Sequence, residues 1–207
     1  MTLHWTVVVP VKGTADSKSR LAPARTLPER AALAAAFATD AVTALLETPA
    51  VAEVIVVAPR GSLAVELEQR GVRLVADPGE GLNAAVRAGL AAAGLHGAGL
   101  AAMLGDLPAL TSDAVATALA AAAAYPLAYV SDEEGTGTTL ITATGAHPLI
   151  PRFGAGSAER HAAAGHHELG DAAGAPLRRD VDTEPDLDAA LALGVGLATR
   201  AALALQR

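Results

Sequence analysis

The stretch after the first apolar run carries residues that suit phosphate binding. The chain holds 15 Lys and Arg residues, yet its only lysines are Lys12 and Lys18, and Arg20 follows closely. Lysine is a compact point charge on a flexible stem, and arginine offers a planar fork of donors, so both suit phosphate oxygens. Three cations within nine residues predict a polyphosphate-binding loop. A solvated surface loop is the alternative.

A second segment, Asp77–Ala85, combines glycines with an amide side chain. Gly79 and Gly81 permit close approach to a flat ligand, and Asn83 offers both a donor and an acceptor. The segment therefore predicts a seat for a base or ribose, while a turn leading into a helix explains it equally well. It lacks the third glycine of the dinucleotide-binding fingerprint, and the lysine-bearing loop lacks the glycine that precedes the lysine of a P-loop.

Three aspartates are placed where they could hold Mg²⁺. Asp106 directly follows an apolar, strand-like run, at the edge where α/β proteins bind ligands. Asp180 and Asp182 are two residues apart, so an extended backbone would turn both carboxylates to one face. Carboxylate oxygens are ligands that Mg²⁺ prefers. The alternatives are a turn aspartate at Asp106 and a helix cap formed by Asp182 or Thr183.

Hydroxyl groups and glycines in two later segments predict a seat for an acceptor anion. Thr138 and Thr139 begin an apolar run, and the segment from Gly154 to Ser157 leads into a predicted helix whose first N–H groups would be free to bind the anion. Ordinary loop and capping chemistry is an equal alternative. His161 lies in this segment. The other histidines are predicted to be surface residues, and the acidic run 132–134 is predicted to be a solvated turn.

Alternating short β-branched runs and Ala- and Leu-rich stretches must position these side chains. The predicted strands cover residues 5–11, 53–58, 72–76, 99–104, 127–131, 138–143 and 177–181. The predicted helices cover residues 26–47, 62–70, 82–93, 111–125, 157–164, 184–193 and 196–205. This order indicates an α/β protein with a mostly parallel sheet and helices on both faces, in a single domain over residues 1–207.

Composition narrows the class of protein. Hydrophobic residues make up 52% of the 207, which argues against disorder, and a net charge of −7 argues against a sequence-independent grip on nucleic acid. The chain has no cysteine, which excludes disulfides, thiolate metal sites and thiol nucleophiles. The first apolar run is too short for a signal peptide and no run is long enough to span a bilayer, so we expect a cytoplasmic protein with no membrane partner.

The motifs in combination resemble those of the guanylyltransferases of deazaflavin coenzyme F-420 biosynthesis. The matching segments follow one another over nearly the whole chain: VPVKGTADSKSRLA, DPGEGLNAAVRAG, LGDLPAL, GTGTTLI, FGAGSAERHAAAG and DVDTEPDLDAAL. One departure is Ser17, where relatives often have alanine; we expect little consequence because serine is also small.

The resemblance implies a Rossmann-like α/β/α sandwich with a mostly parallel mixed sheet. It also implies GTP as the nucleotide donor and Mg²⁺ as the cofactor, with two ions bound. It implies phosphoenolpyruvate, 2-phospho-L-lactate or 3-phosphoglycerate as acceptor, and a downstream transferase as the partner that takes the product. By residue, it places Lys12, Lys18 and Arg20 on the GTP phosphates, and Gly81, Leu82 and Asn83 on guanine and ribose. It places Asp106, Asp180 and Asp182 on the metal, and Thr138 or Thr139, Gly154 and Ser157 on the acceptor acid.

Two other functions remain open from the sequence. A nucleotidyltransferase of the molybdenum-cofactor or sugar-phosphate type would share the first loop and the segment LGDLP, but would not need the acid seat. A non-catalytic nucleotide-binding regulator could keep the lysines, but would have no use for three metal-type aspartates.

Overall fold

The computed structural model describes residues 3–11, 21, 25–93 and 99–206, apart from the side chain at position 171. Its strands are β1 (Trp5–Pro10), β2 (Val51–Ala58), β3 (Arg73–Ala76), β4 (Gly99–Met103), β5 (Leu127–Ser131), β6 (Thr138–Ala143) and β7 (His167–Glu168). Its α-helices are α1 (Leu27–Leu46), α2 (Ser62–Gln69), α3 (Leu82–Ala93), α4 (Ser112–Ala122), α5 (Ser157–Ala163), α6 (Gly174–Arg178), α7 (Glu184–Leu193) and α8 (Leu197–Ala204). A 3₁₀ turn, Gly170–Ala173, precedes α6.

Seven strands form one mixed sheet in the order β3-β2-β1-β4-β6-β5-β7. Strands β3, β2, β1 and β4 are mutually parallel, whereas β6 runs antiparallel to both β4 and β5. The sheet therefore grows in one direction from β1 to β3 and in the other from β1 to β4. The carboxyl ends of β1 and β4 flank this reversal of strand order, which is where open α/β sheets bind ligands.

The central strand β1 is buried along its whole length, as parallel strands covered on both faces are. Val7 and Val9 belong to the core beneath α1 and α4, and Val8 faces the opposite core beneath α3. Gly89 lets α3 approach closely, because a Cβ atom there would lie 2.3 Å from a methyl carbon of Val8. Helices thus cover both faces of the sheet. A ligand can therefore reach the sheet at the loops that follow the ends of its strands.

Most predicted elements are confirmed. At the start of α1, Thr26 and Glu29 form a capping box. The predicted strand over 177–181 is wrong. Leu177 lies in α6 and is buried against the sheet, and Val181 donates its N–H to the carbonyl of Asp106 without joining a ladder. The sequence also gave no sign of β7, because two residues are too few to show a periodicity.

Within the part of the chain that the structure describes, no helix is both long enough and apolar enough to cross a membrane.

Candidate active site

A cavity of about 740 Å³ opens at the carboxyl ends of β1 and β4. Pro10 and Val11 form one side of its floor, and Leu104, Gly105 and Asp106 form the other. Because β6 is antiparallel to β4, its first residue, Thr138, reaches the same edge. The sheet alone therefore gathers residues that are far apart in sequence around one space, which is large enough for a nucleotide-sized ligand.

The three aspartates predicted to bind metal all line this cavity. The carbonyl of Asp106 accepts the N–H of Val181 at 3.1 Å, so the segment that carries Asp180 and Asp182 is joined directly to the end of β4. The predicted strand is absent, but the two carboxylates still reach the same space. The structure therefore brings together what the sequence placed more than 70 residues apart.

Two further carboxylates lie beside Asp180. Oxygen atoms of Asp132, Glu134 and Asp180 all lie within 4.8 Å of one another, a spacing that could hold a metal ion. Asp132 is fixed by its own turn, since its two oxygens accept the N–H groups of Thr136 at 2.9 Å and Gly137 at 2.7 Å. The run 132–134 was predicted to be a solvated turn. This interpretation missed its role in the cavity wall. Because β6 is antiparallel to both β4 and β5, β5 runs in the same direction as β4, and Asp132 follows its carboxyl end at the ligand-binding edge.

A capping box holds the start of α7 against the cavity. Thr183 is the N-cap, and the carboxylate of Asp186 accepts the backbone N–H of Thr183 at 2.8 Å and its hydroxyl at 2.7 Å. The same carboxylate accepts the N–H of Asp182 at 3.2 Å. Helix capping, one of the two roles weighed for this segment, is therefore carried out by Thr183 and Asp186, which leaves the carboxylate of Asp182 at the cavity wall.

The described lining of the cavity is strongly acidic. Its carboxylates are those of Asp106, Asp132, Glu134, Asp180, Asp182 and Asp186, and none of its described residues is Lys or Arg. Val11 lines the cavity and is followed in the chain by the segment with Lys12, Lys18 and Arg20, which lies outside the described residues. Hard carboxylate oxygens in this number suit a cation such as Mg²⁺, so the donor set fits the predicted metal.

Helix α3 supplies the residues predicted to bind the nucleoside. Leu82 lines the cavity, and Gly81 lies just before the helix, where its carbonyl accepts the N–H groups of Ala84 and Ala85. Asn83 has a different partner: its Nδ2 donates to the carbonyl of Phe153 at 3.1 Å and its Oδ1 accepts the N–H of Phe153 at 2.8 Å. Asn83 therefore joins α3 to the segment before α5.

Thr138 and Thr139 differ in their surroundings. Thr138 lines the cavity, whereas Thr139 is fully buried outside its lining, as the alternation of side chains along a strand requires. Gly154 and Ser157 also line the cavity. The structure thus brings Thr138, Gly154 and Ser157 together and leaves Thr139 apart.

The prediction of free N–H groups at the start of α5 is wrong for two residues. The N–H of Ser157 donates to the carbonyl of Gly154 at 3.0 Å, and the N–H of Ala158 donates to that of Thr136 at 3.1 Å. Arg160 is also occupied, because its guanidinium donates to the carbonyls of Arg152, Gly154 and Ala155. These bonds shape the loop and occupy two of the N–H groups at the start of α5.

His161 bridges two walls of the cavity from a fully buried position. Its Nε2 accepts the N–H of Arg152 at 3.1 Å, and its Nδ1 lies 3.0 Å from the hydroxyl oxygen of Thr138. Burial, together with nearby His166, Arg160 and Arg152, lowers the pKa of His161 to about 4. His166 is buried as well, which makes the prediction of a surface residue wrong there, and burial lowers its pKa too.

Comparison with known proteins gives the arrangement a family context. Residues 21–172 match the model of the MobA-like NTP transferase domain. The phosphoenolpyruvate guanylyltransferase of Streptomyces scabiei is 46% identical over 98% of this chain and 97% of its own length. That of Thermomonospora curvata is 49% identical over 96% of this chain and 88% of its own.

Solved structures of nucleotidyltransferases share the fold at low sequence identity. A protein of Desulfovibrio desulfuricans, assigned as a nucleotide-diphospho-sugar transferase, superposes with a TM-score of 0.69 at 19% identity, over 89% of this chain and 84% of its own. A nucleotidyl transferase from Methanothermobacter gives a TM-score of 0.59, also at 19% identity, over 91% of this chain and 98% of its own. These likenesses support the α/β fold and its mixed sheet.

Proposed function

The chain is a nucleotidyltransferase that belongs to the phosphoenolpyruvate guanylyltransferase family, among the MobA-like NTP transferase domains, and we propose that it transfers GMP from GTP to a small phosphorylated acid. Phosphoenolpyruvate is the proposed acceptor, with 2-phospho-L-lactate and 3-phosphoglycerate as the other candidates. The observation that carries the proposal is one cavity lined by six carboxylates together with hydroxyl side chains, among them those of Thr138 and Ser157.

The acidic wall is the proposed metal site. Asp106, Asp180 and Asp182 are the proposed ligands, and Asp132 and Glu134 are close enough to Asp180 to take part. Mg²⁺ bound there would neutralise phosphate oxygens and stabilise the charge that develops at the reacting phosphorus. Without a cation, an acidic wall would repel triphosphate, so the chemistry of the donor set supports a metal. We propose two ions.

The lysine-bearing loop is the proposed contact for the triphosphate. In the chain, Val11 of the cavity wall is followed directly by Lys12 and then, within the next nine residues, by Lys18 and Arg20. This cationic segment would offset the carboxylates around the bound nucleotide. Gly81 and Leu82 are proposed to hold guanine and ribose. Asn83, whose amide pairs with Phe153 beside the cavity, is proposed to contribute to the same seat.

The acceptor acid is proposed to sit against Thr138, Gly154 and Ser157. Two hydroxyls and a glycine without a side chain suit a small, polar, anionic ligand. Thr139, the alternative to Thr138, faces away from the cavity and drops out of the proposal.

In the proposed reaction, an oxygen of the acceptor's phosphate attacks the α-phosphorus of GTP. A new P–O bond forms as the bond to pyrophosphate breaks, and pyrophosphate leaves with the electron pair. A phosphate monoester is largely deprotonated near neutral pH, so the enzyme needs no general base. The protein's contribution is to orient two anions in line and to reduce their repulsion.

The resemblance of the motifs to those of the guanylyltransferases of coenzyme F-420 biosynthesis suggests a wider setting for this reaction. The product, an acid joined to GMP through a diphosphate, would be consumed by a downstream transferase of coenzyme F-420 biosynthesis. GTP and phosphoenolpyruvate are both cytoplasmic metabolites, so we propose that the protein acts in the cytoplasm.

A substrate panel tests the proposal. The purified protein is incubated with Mg²⁺, one of GTP, ATP, CTP or UTP, and one acceptor, and pyrophosphate release is followed with the downstream transferase present to trap a labile product. We expect release with GTP and phosphoenolpyruvate. Release only with a sugar phosphate or the molybdenum cofactor as acceptor would replace the proposal by the rival transferase, and GTP binding without turnover would favour a regulator.

A further inference from the structure

His161 accepts a hydrogen bond at one ring nitrogen, which determines where its proton lies. The backbone N–H of Arg152 can only donate, and it points at Nε2 at 3.1 Å, so Nε2 must offer a lone pair. The ring is then neutral and protonated at Nδ1. The lowered pKa of His161 agrees with a neutral ring at physiological pH.

The proton on Nδ1 in turn determines the direction of a second hydrogen bond. Nδ1 lies 3.0 Å from Oγ1 of Thr138 and carries the proton, so the Thr138 hydroxyl can accept from the ring but cannot donate to it; the Ser157 carbonyl is a second acceptor near the imidazole. The hydrogen of the hydroxyl must therefore point elsewhere. Thr138 is buried except toward the cavity that it lines, and no other bond of its hydroxyl is found within residues 25–93 and 99–206.

We propose that His161 is a positioning residue that turns the Thr138 hydroxyl into an obligate donor toward an anionic oxygen of the acceptor substrate. This inference rests on the proposed function. It adds His161 as a residue that contacts no substrate but determines what Thr138 can bind. Through Arg152, the same ring also holds the backbone that leads to Gly154, so one buried side chain orients both parts of the acceptor seat.

Amide side chains separate the two bonds of the ring. In His161→Asn the amide nitrogen can occupy the place of Nδ1 and still donate to Thr138, while the partner of Arg152 is lost. In His161→Gln the amide oxygen can occupy the place of Nε2 and keep Arg152, while the donor to Thr138 is lost. Thr138→Val removes the hydroxyl at nearly constant shape. His166→Gln is the matched control, because His166 packs against His161 with ring centroids 5.3 Å apart.

Steady-state kinetics of pyrophosphate release give the decisive comparison. We expect His161→Gln and Thr138→Val each to raise the KM for the acceptor about tenfold, the effect of losing one hydrogen bond to a charged group, with the KM for GTP within about twofold. The double variant His161→Gln with Thr138→Val should have an acceptor KM no higher than that of the more impaired single variant. In the His161→Asn background, Thr138→Val should still raise the acceptor KM. His166→Gln should stay within about twofold of the wild type.

Two results would overturn the proposal: additive effects in the double variant, or an unchanged acceptor KM in His161→Gln. The methyl ester of phosphoenolpyruvate locates the contact. If the hydroxyl binds the carboxylate, Thr138→Val should have a smaller effect with the ester, which keeps a carbonyl acceptor but loses the negative charge. If the hydroxyl binds the phosphate, the effect should stay the same.

A measurement without substrate separates this inference from the proposed function. Long-range ¹H–¹⁵N NMR spectra of the free protein identify which nitrogen of His161 carries the proton. We expect Nδ1–H, and an Nε2–H tautomer would contradict the inference even if the enzyme proves to be a guanylyltransferase. Conversely, an Nδ1–H tautomer in a protein that is inactive with every acceptor would contradict the proposed function. It would still support the orientation of the Thr138 hydroxyl by His161.

Discussion

Asp106 follows β4, and its carbonyl accepts a hydrogen bond from the segment that carries Asp180 and Asp182. It is therefore the sharpest single test of the metal site. Asp106→Asn keeps the size of the side chain and removes its charge. We expect the turnover number to fall by roughly 100-fold or more, about 3 kcal/mol of lost transition-state stabilisation, because a carboxylate ligand to Mg²⁺ is lost. Pyrophosphate release at saturating GTP and acceptor measures the effect.

Asp113→Asn is the matched control for this variant. Asp113 is exposed in the first turn of α4, outside the cavity, so the same change of charge should leave turnover within about twofold. Full activity of Asp106→Asn would remove Asp106 from the site.

Burial of His161 predicts a dependence of stability on pH. The pKa of His161 is about 4 in the folded protein, against about 6.5 for an ordinary histidine, so the unfolded chain binds the proton more tightly. The stabilising contribution is complete above about pH 6.5 and is lost as the pH falls toward 4. The free energy of unfolding is measured with urea at about pH 7 and about pH 4.5 for the wild type and for His161→Asn. The decrease between the two pH values should be ~2–3 kcal/mol smaller in His161→Asn than in the wild type.

Exposed His147 supplies the reference for this experiment. His147→Asn should lose as much stability as the wild type on acidification, because the His147 side chain is exposed to solvent in the folded protein as it is in the unfolded chain. Equal losses in the wild type and in His161→Asn would show that the buried ring does not resist protonation.

The sequence predicted those site residues whose position depends only on the strand they follow. Asp106 follows β4, and the carboxyl ends of parallel strands share one edge, so strand prediction was sufficient for it. Thr138 begins β6 and reaches that edge because β6 is antiparallel to β4. Asp132, the pairing of Asn83 with Phe153, and the bridge made by His161 depend on which strand or loop lies beside which. That information arises from the antiparallel insertion of β6 and has no local signature.

Helix α8 depends on a carboxylate from a different helix. Asp40 lies buried in α1, and its two oxygens accept the N–H groups of Ala198 and Thr199, each at 2.9 Å. Gly196 makes this approach possible, because a Cβ atom at that position would lie 2.3 Å from the carboxyl carbon of Asp40. A negative charge at a helix N-terminus is favourable, so Asp40 replaces the side-chain cap that α8 lacks.

Replacing this carboxylate should weaken the packing of α8 on α1. Asp40→Asn puts an amide NH₂ against a backbone N–H and removes a charge-assisted hydrogen bond, which costs about 2 kcal/mol. For a chain of this length the Tm should fall by about 4–8 °C. Activity at 25 °C should be unchanged, since α8 does not line the cavity. Asp188→Asn, an exposed change of the same charge in α7, should move the Tm by less than about 2 °C.

Element prediction succeeded where local signals were strong and failed where tertiary contacts decide. The capping box before α1 and the threonine cap of α4 are local signals in the sequence, and both helices were predicted correctly. The segment from Leu177 to Val181 has the apolar residues of a strand, yet Gly174–Arg178 forms a short helix because Leu177 is buried under the sheet, packed beside the 3₁₀ turn. A five-residue pattern cannot distinguish these outcomes.

Across the whole molecule, charge is distributed in a way that makes the fold sensitive to cations. The net charge is −7, and six carboxylates converge on one cavity from the ends of β4 and β5 and from the segment that begins α7. Like charges held together by the fold repel one another, while in the unfolded chain they separate. A divalent cation that binds the folded state alone must therefore stabilise it.

This linkage gives a test of the metal site that does not depend on turnover. At about ten times its dissociation constant, Mg²⁺ should add about 1.4 kcal/mol to the free energy of unfolding, which raises the Tm by about 3–6 °C. Thermal melting without nucleotide, with NaCl at equal ionic strength to account for screening, measures the shift. Asp180→Asn should abolish most of it, because Asp180 belongs to both groups of carboxylates, whereas Asp113→Asn should retain it. An equal shift in the two variants would place the bound cation elsewhere on the acidic surface.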